Sequence, residues 1–338
     1  MNLVGQSYLL AAVTLLLGAT PPCAAAAPRE HAGPAIANPI LPSGADPWIV
    51  RHGRTYYYMN TLGDRLAIRA TRDLGKLAAA PEVVVWRPSG GANAQSIWAP
   101  ELHRIEGKWY IYYTAAAAGH DDDAHRGIFV LENAGDDPLA GTWVDRGRLA
   151  TAHTGIDGTV FVDRGKLYFA YSPYVGSDSD LAIVAMRDPW TLSGPETIIA
   201  RPDQPWERQG GRQILEGPAV LRGPSGQLFM SYSGSACWSD DYALGMLQAK
   251  PGGDPLDAAT WTKLPGPVLA KAPAAGIYAP GHNGFFEAGD GSAWIVYHAN
   301  PGPGMKCGAR RAPHIQRVTF DRAGRPLLAR PANRTPTP

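Results

Sequence analysis

The chain has 338 residues, 45% of them hydrophobic and 18% charged, with 39 glycines and 31 prolines. That balance excludes a disordered polymer, and a formal net charge of +1 with no clustered basic face excludes the electrostatic footprint of a DNA- or RNA-binding protein. Length alone would suggest two domains, but an internal repeat overrides that prior.

Residues 1–27 carry no charged side chain. Leu9 to Leu17 is an apolar core of signal-peptide length, and Ala24 to Ala27 offers a small-residue cleavage site, so an exported protein with a removed leader is expected. The segment is too short, and too soon followed by Pro21-Pro22, for a membrane span. Thr20-Pro21-Pro22 ahead of Cys23 also departs from the pattern of a lipidated cysteine. A flexible lead-in is expected over 28–37, a folded domain over 38–332 and a tail over 333–338.

Within the folded part, five runs share one form. Gly53-Arg54-Thr55-Tyr56-Tyr57-Tyr58, Gly107 to Tyr113, Gly165 to Tyr171, Gly226 to Tyr232 and Gly291 to Tyr297 each place a glycine just before an aromatic-rich strand, at intervals of 54, 58, 61 and 65 residues. No stretch shows a helical period of useful length, and short strands between Gly, Pro and Asp turns account for the rest. The fold class expected is all-β: a five-bladed β-propeller in a single domain. Most Tyr and Trp side chains in these runs are read as packing between blades. Once the leader is gone, only Cys237 and Cys307 remain, and in an exported protein they are expected to form a disulfide between the fourth and fifth blades.

Polar residues recur ahead of the same glycines. Asp46, Glu101, Asp157, Glu216 and His282 stand seven, six, eight, ten and nine residues before them, on or beside the innermost strands, so they should converge at one end of the axis. Crowding carboxylates is unfavourable for stability, through like-charge repulsion and loss of hydration. Hydrolysis of a glycosidic bond supplies a reason, because it needs one carboxyl protonated and another ionised.

The motifs Ser43-Gly44-Ala45-Asp46-Pro47-Trp48, Ile97-Trp98-Ala99-Pro100-Glu101-Leu102, Ile156-Asp157-Gly158-Thr159, Glu216-Gly217-Pro218-Ala219-Val220 and Gly281-His282-Asn283 resemble those of glycoside hydrolase family 43, from about Asn38 to about Arg330. Within that family, Gly107 to Tyr113, Phe129 to Asn133, Pro189 to Leu192 and Trp294 to His298 look most like the exo-acting α-L-arabinofuranosidases that trim arabinan. The resemblance implies an inverting enzyme with Asp46 as general base, Glu216 as general acid and Asp157 as the auxiliary carboxylate that keeps Glu216 protonated. It implies that Trp98 walls the sugar pocket and that Arg311 reaches the substrate or a catalytic acid, although Pro313-His314-Ile315 stands where the family often has a second arginine. It also implies that His282 holds a water-ligated calcium or other ion on the axis, with no cofactor needed for the chemistry itself. Glu101 is read as supporting the pocket floor.

The partner expected is a carbohydrate (arabinan, arabinoxylan or their oligosaccharides), with a secreted monomer and no membrane or nucleic-acid association. Related members cleave β-xylosides, arabinoxylan branches or internal arabinan bonds, and these remain alternatives, as does a sugar-binding propeller without catalysis. Arg187-Asp188-Pro189 matches a motif of the fructan and sucrose hydrolases, but it falls in the outer half of its blade. His120-Asp121-Asp122-Asp123-Ala124-His125 is read as a solvated loop near the funnel mouth, since consecutive acids cannot all turn inward and calcium-loop spacing is absent.

Overall fold

A computed structural model describes residues 36–331, the backbone of Arg334–Thr335, and Met1. The expected leader lies outside the described residues, as do most of the lead-in and most of the tail. Five antiparallel sheets follow one another along the chain, each a meander of four strands. Blade 1 comprises Trp48–His52, Thr55–Met59, Leu66–Thr71 and Glu82–Trp86. Blade 2 comprises Gln95–Ile105, Lys108–Ala116, Gly127–Asn133 and Val144–Arg148. In blade 3 the strands are Gly155–Asp163, Lys166–Val175, Leu181–Asp188 and Thr191–Ala200, with the short Asp178–Ser179 pairing alongside the second. Leu215–Arg222, Leu228–Gly234, Ala243–Ala249 and Trp261–Lys263 make blade 4. Tyr278–Glu287, Ala293–Asn300, Ala312–Phe320 and Pro326–Leu328 make blade 5.

The repeat glycines sit where the first strand of each blade turns into the second, all with positive φ. Glu106-Gly107 and Arg164-Gly165 place two successive left-handed residues in two of the two-residue hairpins, which matches the right-handed twist of the strands they join. Helical turns among the described residues are short; the longest is Leu74–Ala79.

Apolar packing explains why the aromatic runs exist. The buried side chains divide into five clusters, one for each junction between neighbouring blades. Tyr57 meets Trp109 edge-on across the first junction, with ring centres 5.4 Å apart, and Trp109 is fully buried. Closure of the ring falls to the segment before blade 1. Asn38 donates to the Ile315 carbonyl at 2.8 Å and accepts the Ile315 N–H at 2.9 Å, and Ile36–Ala37 pairs with Arg334–Thr335. Ile36, Ile40 and Leu41 fill the cluster between blades 5 and 1.

Candidate active site

In or just ahead of each innermost strand one residue leaves the extended conformation, and these positions repeat around the ring. Asp46, Ala99, Asp157, Gly217 and His282, one from each blade, take left-handed backbone angles with φ from 43° to 59°. Such a residue turns its N–H out of its own sheet, and the preceding blade receives it. Ala99 N–H donates to Thr61 Oγ1 at 2.7 Å, Asp157 N–H to Thr114 Oγ1 at 3.0 Å, His282 N–H to Ser233 Oγ at 2.7 Å and Asp46 N–H to His298 Nδ1 at 3.1 Å. Thr114, Ser233 and His298 occupy one register position, opposite Trp98, Glu216 and Gly281 respectively. Blade 3 departs from the pattern. Ser172 holds the equivalent place opposite Ile156, yet Gly217 N–H donates at 3.1 Å to the carboxylate of Asp157, and the Ser172 hydroxyl is buried without a partner.

This ring delivers the expected acids into one cavity of about 420 Å³, lined among others by Asp46, Asp157, Glu216, His282, Trp98 and Arg311. That volume lies toward the small end of ligand pockets. Asp46 accepts from the Thr61 hydroxyl at 2.6 Å and from Arg311 Nη1 at 3.2 Å, and its carboxylate lies 3.4 Å from Nδ1 of both His282 and His298. Burial works to raise its pKa, but His282, Arg311 and His298 outweigh that and hold it well below the ordinary range. Burial pushes both imidazoles down, His298 to about 4, so at neutral pH the standing positive charge beside Asp46 is Arg311. A neutral His298 also suits its Nδ1, which cannot accept the Asp46 N–H and donate to the carboxylate at once.

Glu216 is poised the other way. Burial raises it to about 7, with Asp46 adding to the lift, while the Tyr242 hydroxyl, donating to Oε1 at 2.7 Å, and Arg311 and Arg212 oppose it. Asp157 is raised as well, first by burial and then by Glu216 and Asp46. Burial, rather than the Asp157 expected from the sequence, is the largest cause of the Glu216 lift, and the two neighbouring acids titrate as a pair. Glu101 pairs with His103 at 2.8 Å outside the cavity lining. Asp188 ends an outer strand of blade 3, and its neighbour Arg187 is exposed, far from any inward-facing position.

The rim is built by loops. Asp123 of the blade 2 loop binds Arg126 at 2.7 Å and Arg212 at 2.6 Å, Asp121 binds Arg126 and Ser96 at 2.7 Å each, and Asp123, Arg126 and Arg212 all line the cavity. The loop read as solvated therefore contributes to the wall: Asp121 and Asp123 share Arg126, while Asp122 turns outward to His125 at 2.7 Å. Arg126 lies 4.4 Å over the Trp98 ring, so one face of that indole is taken by a guanidinium. Cys237 and Cys307 are joined in a disulfide that ties blade 4 to blade 5 at the rim.

An axial ion fits these residues poorly. Calcium takes six to eight oxygen ligands, and His282 offers one nitrogen, with Nδ1 turned toward Asp46 and, at 3.9 Å, Asp157. Ligand atoms of Asp157, Glu216 and His282 lie within 4.8 Å of one another, but a divalent ion there would displace the protons that Asp157 and Glu216 hold.

Residues 36–326 match Glycosyl hydrolases family 43. The chain belongs to that family. It is therefore a glycoside hydrolase, and its five-bladed propeller is the fold that its structural neighbours share. It is 41% identical over 300 residues to an extracellular exo-α-(1→5)-L-arabinofuranosidase of Streptomyces chartreusis, covering 86% of this chain and 89% of that one. A protein of the same description from Streptomyces avermitilis is 40% identical over 86% of this chain, which spans 61% of that longer relative. Among solved structures, an α-L-arabinofuranosidase from Lactobacillus brevis superposes with a TM-score of 0.82 at 31% identity, covering 88% of this chain and 97% of that one.

Several residues of this hydrolase's site are not marked by the sequence motifs: Thr61, His298, Tyr242, the cavity-lining Tyr174 and the Asp123–Arg126–Arg212 bridge. A signal existed for His298, since Thr114, Ser172, Ser233 and His298 each directly follow an aromatic run; Thr61, three residues past Tyr58, falls outside that register. The bridge had none, because its partners Asp123 and Arg212 are 89 residues apart.

Proposed function

We propose that this family 43 hydrolase is an exo-acting, inverting α-L-arabinofuranosidase that releases L-arabinose from the non-reducing ends of α-1,5-linked arabinan and arabino-oligosaccharides. What supports the mechanism is one small cavity holding two carboxyls in opposed settings: Asp46 held low by His282, Arg311 and His298, Glu216 raised to about 7 by burial. Asp46 accepts the proton of a water that attacks the anomeric carbon from the face away from the leaving oxygen. Glu216 donates its proton to that oxygen as the bond breaks. Arg311 and Thr61 fix the Asp46 carboxylate through one oxygen each, so its attack geometry is set before substrate arrives. Asp157, anchored by Gly217 N–H and itself raised by burial, resists ionising beside Glu216, and any charge it took on would hold the Glu216 proton more tightly.

Two ties across the rim, the Arg126–Asp123–Arg212 bridge and the disulfide, support an end-on pocket that admits one chain terminus. The substrate class rests on the two Streptomyces relatives, whose names specify exo action on α-(1→5) links, and those names also support secretion. No helix among the described residues is long and apolar enough to cross a membrane. A sugar-release assay on linear arabinan, arabinoxylan, xylobiose and both aryl pentosides tests the assignment. Free arabinose as the sole early product from arabinan is the expected result; early oligosaccharides would indicate internal cleavage, and xylose from xylobiose a xylosidase.

A further inference from the structure

Trp238 is the one exposed large aromatic side chain among the described residues, 42% accessible, and it opens onto the acid cavity. Exposing an indole forfeits favourable burial, and a free one would swing among rotamers. This one is pinned. Its Nε1–H donates to the Gly210 carbonyl at 2.7 Å, and the preceding residue, Cys237, is locked to Cys307. The approach depends on Gly210, whose φ is +88° and where an added Cβ would stand 2.8 Å from Ala236 Cβ and 3.1 Å from the indole nitrogen. A rigid, wet aromatic face beside a polar site is built to receive a ligand with an apolar face of its own.

Its place in the blade says which part of the ligand. Ser233 is in register with Glu216, and the chain runs from there through five further residues to Trp238, so the indole stands on the rim of the same blade as Glu216. In an inverting displacement the water lies beside the base and the leaving oxygen beside the acid. Asp46 belongs to blade 1 and Glu216 to blade 4, so the departing sugar lies on the side where Trp238 stands. We propose that Trp238 is the stacking platform for the first sugar ring of the leaving group, and hence the residue by which the enzyme favours oligosaccharides over glycosides of small alcohols.

The proposal rests on Glu216 being the acid, and the test separates the two. Trp238→Ala should lower kcat/KM on α-1,5-arabinobiose roughly tenfold, the loss of about one stacking contact, while leaving methyl α-L-arabinofuranoside within about twofold of the parent. Trp238→Phe should recover most of the loss. Equal losses on both substrates would mean a merely structural role and overturn the proposal, as would an unchanged rate on arabinobiose. Calorimetric titration of arabinotriose into Glu216→Gln and Glu216→Gln/Trp238→Ala reads the platform without turnover. Weaker binding by the double variant supports it even if Glu216 proves not to be the acid, and equal binding by the two contradicts it.

Discussion

Replacing Glu216 by Gln removes the proton that the mechanism needs and also relieves a strain that the fold carries. Glu216 moves from an ordinary 4.5 to about 7 on folding, so the native state holds its proton more tightly than the unfolded chain does. The sign follows: the stability tied to that proton is fully present below pH 4.5 and is lost as pH rises through 7. At about 1.4 kcal/mol per pH unit, the wild type should lose about 3 kcal/mol relative to Glu216→Gln between pH 4.5 and 8. Urea unfolding of both proteins at pH 4.5, 6 and 8 reads this directly, with the gap widening in favour of the variant at high pH. The same variant should lose activity on arabino-oligosaccharides by about a hundredfold or more, yet much less on aryl arabinofuranosides whose leaving groups depart without protonation. Stability curves that run parallel across pH, or equal activity losses on both substrates, would refute the assignment of a buried, protonated Glu216 as the acid.

Two further perturbations act on the base side and on the axial ring. Arg311→Ala removes one of the groups that, with His282, hold Asp46 low against burial, so the acidic limb of the pH–rate profile should move upward; Arg311 also opposes the lift of Glu216, so the limb near pH 7 should move upward as well, by less; an unmoved acidic limb would exclude Arg311 from tuning the base. Gly217 sits at φ +57° with the His282 ring 3.2 Å from where a Cβ would be, so Gly217→Ala should cost about 1–2 kcal/mol in denaturant unfolding and lower kcat with little change in KM.

The blades were legible because a turn glycine followed by an aromatic strand is a local signal repeated five times, and the interblade clusters need that repetition. The acids were legible for a related reason: a polar residue recurs on or beside each innermost strand, six to ten residues before the turn, and those strands converge at the axis, although Glu101 of that set falls outside the cavity lining. Their protonation was not. Whether Asp46 is ionised and Glu216 neutral depends on Arg311 reaching across from blade 5, 265 residues along the chain, and on how much water burial removes. The rim was the least readable part. Arg126 covers Trp98 and bridges to Arg212 through Asp123, contacts that depend on loop conformations with no periodicity of their own.

The stereochemistry of the first product tests the central claim most directly. Proton NMR during hydrolysis of an α-L-arabinofuranoside by the wild-type enzyme, recorded before mutarotation, should show the β-anomer of L-arabinofuranose appearing first. That outcome requires a water activated by Asp46 on the face opposite the oxygen protonated by Glu216. Initial release of the α-anomer would mean a covalent intermediate, and the division of labour between these two carboxyls would be wrong.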